Sequence, residues 1–180
     1  MNGQKDAIKS IGKFLKSDKK CMLITGTHQF KKHILAMYVI NKHYKNAKIL
    51  FRTNIMDNLT NRNYIGKFID KKPKIAEKFE IDNNIYSADT FQQSSWWKTD
   101  DDFDFAIFYP IDAVLRNSVK PDCIDNLFNE KKINKIFLVS WTDHITDNYS
   151  KFEHYIDAKT IYDAEEEDVH YHRRVLGLED

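Results

Sequence analysis

The chain has 180 residues, 28 of them Lys or Arg and 27 Asp or Glu, for a formal charge of +1. That length suffices for one core and gives no reason to divide residues 1–180 into two domains. The near balance of charge excludes the strong overall field of a dedicated duplex-DNA binder, and 42% hydrophobic with 31% charged residues excludes intrinsic disorder.

Ile8, Ile11, Phe14 and Leu15 recur at helical spacing, predicting a helix over residues 4–17. Cys21-Met-Leu-Ile-Thr25 is a continuous apolar run ending at Gly26, the pattern of a strand buried on both faces. A helical period over 30–44 and the apolar run 48–51 complete a strand–loop–helix–strand unit. Met56, Leu59, Tyr64, Phe68, Ile69, Ile75 and Phe79 fit one or two helices interrupted at Pro73. A third strand is expected at 84–87, a polar loop around Trp96 and Trp97, and a strong strand at 103–109 stopped by Pro110. Helices are expected at 112–116 and 122–132, strands at 135–139 and 155–161, and a last helix at 164–176 ended by Gly177. Alternating strands and helices predict an α/β three-layer sandwich with a mainly parallel sheet.

In open parallel sheets, ligands sit beyond the carboxyl ends of the strands, and the first strand-to-helix loop meets phosphate with free amides. Gly26-Thr27-His28-Gln29-Phe30-Lys31-Lys32-His33 occupies that place. It resembles the Walker A loop of P-loop NTPases, Gly-x4-Gly-Lys-Ser/Thr. Gly26 matches the first glycine and Lys32 the phosphate-binding lysine. Lys31 stands in place of the second glycine and His33 in place of the magnesium-binding hydroxyl. A side chain at the glycine position crowds a phosphate, and imidazole is a poor ligand for a hard ion. Gly26, Thr27, His28, Lys31, Lys32 and His33 are thus the candidate phosphate-contacting residues.

Phe103-Asp-Phe-Ala-Ile-Phe-Tyr-Pro-Ile-Asp112 resembles the segment of helicase-type P-loop NTPases that leads into the Walker B Asp-Glu, and Ser87-Ala-Asp-Thr-Phe91 is similar to the strand upstream of it. The alignment puts Tyr109 and Pro110 at the two acidic positions, where neither can hold magnesium or orient water. Asp112 is the candidate to replace a metal contact, unless it serves the following helix. Ser140-Trp-Thr-Asp143 stands where such ATPases place a polar sensor, which makes Asp143 a second candidate; the alternative is a polar loop with a packed tryptophan. The resemblance spans roughly residues 20–145 and implies a P-loop NTPase-like fold with degraded chemistry.

Other motifs carry less. Pro121-Asp122 with Glu130-Lys131-Lys132 matches a nuclease pattern only superficially, because helix intervenes. His170 and His172 lack metalloprotease spacing, so no metal site is expected. Two cysteines, Cys21 and Cys123, without a Cys-x-x-Cys, point to a reducing compartment. The stretch 1–17 lacks the apolar core of a signal peptide and no run reaches the roughly 18 apolar residues of a membrane span, so a cytoplasmic protein without a membrane partner is expected. Trp96 and Trp97, beside acidic Asp100–Asp102, suit a protein partner, as aromatics often anchor interfaces; equally, they cover the core. Basic residues crowd the first third, including Lys19, Lys20, Lys31, Lys32, Lys42, Lys45, Lys48 and Arg52, a candidate electropositive side.

The leading expectation is a catalytically inactive P-loop-like accessory protein acting through a protein partner, with DNA processing in a mobile element as the setting that the helicase resemblance implies. Against it stand an atypical NTPase that binds ATP or another nucleotide with magnesium, completed by Asp112 or a partner, and a nucleic-acid-binding module.

Overall fold

The computed structural model describes residues 2–116, 121–143 and 147–178. Among them, seven strands form one sheet: β1 (Cys21–Thr25), β2 (Lys48–Thr53), β3 (Lys78–Ile81), β4 (Asn84–Thr90), β5 (Asp102–Tyr109), β6 (Lys132–Val139) and β7 (Ala158–Ile161). Their spatial order is β3-β4-β2-β5-β6-β1-β7, and every neighbouring pair is parallel except β3 with β4. Cys21 aligns with Ile136 and Ile24 with Val139, while Ile107 aligns with Phe137. The strands near Cys21, Phe103 and Lys135 are therefore parallel, as their doubly apolar composition predicts.

Period-two alternation splits each central strand between two cores. Met22, Ile24, Ile49, Phe51, Ile107, Phe137 and Val139 pack with α1 (Gln4–Leu15) and α2 (Lys32–His43) on one face. Leu23, Leu50, Ala106, Phe108, Ile136 and Leu138 pack on the other with α5 (Asp122–Asn129) and with Val114 of α4 (Asp112–Arg116). A short α3 (Gln93–Trp96) and α6 (Val169–Val175) complete the helices, and no helix among the described residues is long and apolar enough to cross a membrane.

The helices expected across 55–83 do not form. Met56–Thr60 is a 3-10 turn, turns follow, and β3 begins at Lys78. Asparagine side chains redirect the backbone here: Asn54 Oδ1 accepts from Ile55 N, and Asn61 Oδ1 from Asn63 N. β3 reaches β4 through Asp82 and Asn83, both at positive φ (50° and 65°), the two-residue turn that suits a hairpin. The last helix starts at 169, not 164, because Asp168 caps it, its Oδ1 accepting from Tyr171 N at 2.9 Å. A 3-10 turn at Tyr149–Tyr155 likewise displaces the start of β7 to Ala158.

Not all of the basic first third is a surface. Arg52 is fully buried in a two-pronged pair with Asp89, Nε to Oδ1 at 2.8 Å and Nη2 to Oδ2 at 2.6 Å. Its Nη1 donates to Cys123 O and Asn126 Oδ1, so β2, β4 and α5 are joined by one guanidinium.

Candidate functional site

The connection leaving β1 runs to α2 on one face, and that leaving β6 runs by way of Phe152 and Tyr155 along the other. Because β1 and β6 are neighbours, a crevice opens between their carboxyl ends, the place where open α/β sheets hold ligands. Gly26 turns the chain into it at φ 121°, and a Cβ there would lie 2.3 Å from Tyr162 O, so the backbone contact requires glycine.

Three amides at the start of this loop are already taken. Gly26 N donates to Asp143 Oδ2 at 2.5 Å, Thr27 N to Asp163 Oδ1 at 2.9 Å, and His28 N to Tyr162 O at 3.1 Å. Lys32 has no exposed surface; its Nζ donates to Gly26 O, to Trp141 O at 3.1 Å and to Asp143 Oδ2 at 3.2 Å. Those three acceptors match the three protons of the ammonium. Burial pulls the Lys32 pKa down, and the Asp143 carboxylate opposes that pull. Asp143 also accepts from Ser140 Oγ at 2.7 Å and from the Tyr149 hydroxyl. A carboxylate of the chain thus sits on the first loop amide and the buried lysine together.

His33 and Tyr109, from the expected metal-holding positions, stack on each other with ring centroids 4.0 Å apart and 25° between planes, both without exposed surface. Tyr64 packs edge-on against Tyr109 at 5.0 Å. His33 Nε2 lies 3.2 Å from Tyr64 O, so that nitrogen carries the proton. Burial pushes the His33 pKa down to about 3, leaving the ring neutral at physiological pH. Asp112 is buried too: Oδ1 accepts from Trp141 N at 2.7 Å, and Oδ2 faces Arg116 at 3.4 Å. Burial raises its pKa. It anchors α4 to the loop after β6.

The segment after β7 lies over the loop. Thr27 Oγ1 meets His172 Nδ1 at 2.7 Å and receives Ala164 N at 3.0 Å, and the Tyr171 hydroxyl donates to Gln29 Oε1 at 3.0 Å. Glu167 accepts from Lys31 Nζ at 2.5 Å and from the Tyr162 hydroxyl at 2.8 Å, with His28 Nε2 at 3.2 Å. The Lys31 bond, first among these, holds the Glu167 carboxyl at about 2.

Of the residues singled out in the sequence, Gly26, Thr27, Lys32 and Asp143 meet in the crevice, whereas Lys31 and His28 turn outward to Glu167. The two tryptophans separate. Trp96, for which a partner surface and core cover were both open, is core: it is 6% exposed, lies against the Arg52 guanidinium at 5.1 Å and donates Nε1 to Thr90 O. Trp97 is 75% exposed. Asp163, Glu167 and His172 are the site residues that sequence reading missed, since no spacing links them to a loop more than a hundred positions away. Among the described residues, no group of three or more His, Cys, Asp or Glu side chains is arranged to hold a metal ion. No protein-family model matches the chain, and neither does any curated protein or solved structure.

Proposed function

We propose that this chain is a catalytically inactive P-loop NTPase-like protein that serves as a binding or accessory subunit. The observation that carries the reading is the Asp143 carboxylate on Gly26 N and Lys32 Nζ, where a phosphate-binding loop would hold its anion. Magnesium does not fit either. Its hydroxyl and carboxylate ligands are replaced by the stacked His33 and Tyr109 rings, and Asp112 is engaged by Trp141 N and Arg116. The same geometry counts against Asp112 as the acid of an atypical NTPase and leaves that reading to a partner's acids. The DNA-processing setting draws support from the helicase-like resemblance alone.

Purified protein is expected to hydrolyse neither ATP nor GTP, with or without DNA, and to gain no thermal stability from millimolar magnesium nucleotide. Turnover that disappears in Lys32→Ala overturns the proposal.

A further inference from the structure

Beside the closed loop lies an open cleft of about 500 Å³, bounded by residues 28–31, residues 62–67 and the start of α6. That volume falls within the roughly 300–1,000 Å³ usual for ligand sites. A second cleft of about 310 Å³ shares Lys31, Ile34 and Lys67 with the first and continues along α2 to Tyr38, itself 51% exposed. The two make one groove.

The charges along this groove are unequal in their freedom. Glu167 accepts from Lys31 and the Tyr162 hydroxyl and contacts His28, and Asp168 is occupied as the cap of α6. Arg62 and Lys67 are exposed and have no carboxylate partner among the described residues, although Lys67 Nζ lies over the ring of its neighbour Phe68 at 4.9 Å. Aromatic rings line the same path: Phe30 and Tyr171, each half-buried, then Tyr38. Tyr171 is fixed by its hydroxyl bond to Gln29 and by the Arg174 guanidinium 5.4 Å from its ring, and Phe30 is backed by Trp141 at 6.1 Å. Exposed cations bonded to no carboxylate and anchored rings along a continuous groove match a ligand that alternates phosphates with flat bases.

We propose that this groove binds single-stranded nucleic acid, with Arg62 and Lys67 on the phosphates and Phe30, Tyr171 and Tyr38 beneath the bases. The proposal rests on the binding-subunit reading and names its partner. The strand runs over the outer side of residues 28–31 and does not enter the place that Asp143 occupies on Gly26 N and Lys32 Nζ, so the closed cradle and the open groove coexist.

Fluorescence anisotropy of a labelled oligothymidine with the full chain tests it. Binding is expected at low ionic strength. Arg62→Ala with Lys67→Ala should weaken it about tenfold or more and flatten the plot of log affinity against log salt by about 1.4, the share of two phosphate contacts on a single strand. Lys19→Ala with Lys48→Ala, at the opposite end of the sheet, should change neither. Tyr38→Ala should weaken binding by about fivefold or more at an unchanged salt slope, because stacking is not counterion release. No binding at low salt overturns the proposal, as does equal loss in both double variants. Thymidine monophosphate competing as well as unlabelled oligomer also overturns it, by making a single nucleoside phosphate the ligand. Nucleotide turnover, the failure that would sink the closed-loop reading, is a separate measurement that none of these outcomes alters.

Discussion

Replacing Asp143 by alanine is the sharpest perturbation of the closed loop. The substitution removes the acceptor of Gly26 N, Ser140 Oγ and the Tyr149 hydroxyl, and it leaves the buried Lys32 ammonium bonded to two carbonyls and to no carboxylate, with Asp112 and Asp163 acting on it only from farther off. Breaking a buried ion pair from one side costs about 3–5 kcal/mol. The Asp143 side chain keeps 15% of its surface exposed, so water reaches the gap and the lower end, about 3 kcal/mol, applies. The empty place is then an anion site. Phosphate at one hundred times its dissociation constant would restore about 2.7 kcal/mol, most of the loss. The assay is urea unfolding followed by tryptophan fluorescence, in phosphate and in chloride at matched ionic strength, for wild type and Asp143→Ala. The wild type corrects for the general stabilisation that phosphate gives any folded protein. A loss below about 1 kcal/mol would refute the reasoning, since a carboxylate that stabilises so little is not closing the loop. So would equal stabilisation of both proteins by phosphate, which would mean that the wild-type loop is open.

Two further substitutions probe the same region, and a third on α1 serves as their control. His33 titrates at about 6.5 when unfolded and about 3 when folded, so the unfolded chain alone takes up a proton in between. Its neutral form therefore gives full stability above pH 6.5, and that contribution is lost as pH falls from 6.5 towards 3. His33→Phe keeps the stack on Tyr109 without the titration, and relative to wild type it should gain on the order of 2.5 kcal/mol between pH 7 and about pH 4.5 in denaturant titrations. An unchanged difference between the two proteins at both pH values would refute the burial argument. Gly26→Ala should cost on the order of 3 kcal/mol, from positive φ and the clash with Tyr162 O, whereas Gly12→Ala, in open space on α1, should gain about 0.5–1 kcal/mol in the same unfolding series.

The parts that sequence made legible share one cause. β1, β5 and β6 are apolar on both faces because helices cover both faces, and such runs announce themselves without a partner. The loop after β1 is legible through Gly26. What sequence could not separate were neighbours. Successive residues on a helix point about 100° apart, so Lys32 turns inward to Asp143 while Lys31 turns outward to Glu167. Trp96 and Trp97 diverge for the same reason. The stretch from 55 to 77 misled because only some of its apolar residues bury, Leu59, Tyr64 and Ile65 in the core while Ile55 and Phe68 stay exposed, and they do so on turns set by asparagine side chains. The covering segment after β7 is legible only through contacts, since Asp163, Glu167 and His172 acquire their roles from Thr27, Lys31 and His28 across the fold.

Those contacts also determine what an outside anion would have to overcome. A phosphate entering the crevice competes with a carboxylate that the fold itself holds in place, so the internal anion never dilutes away as a free ligand does. A polyanion on the outer groove meets the reverse situation. There the acids are bonded to neighbours, and among the described residues Arg62 and Lys67 have no carboxylate partner, so attraction requires no internal carboxylate to be displaced. The same carboxylates that shut the inner site thereby leave the outer one as the face on which an anionic partner gains most.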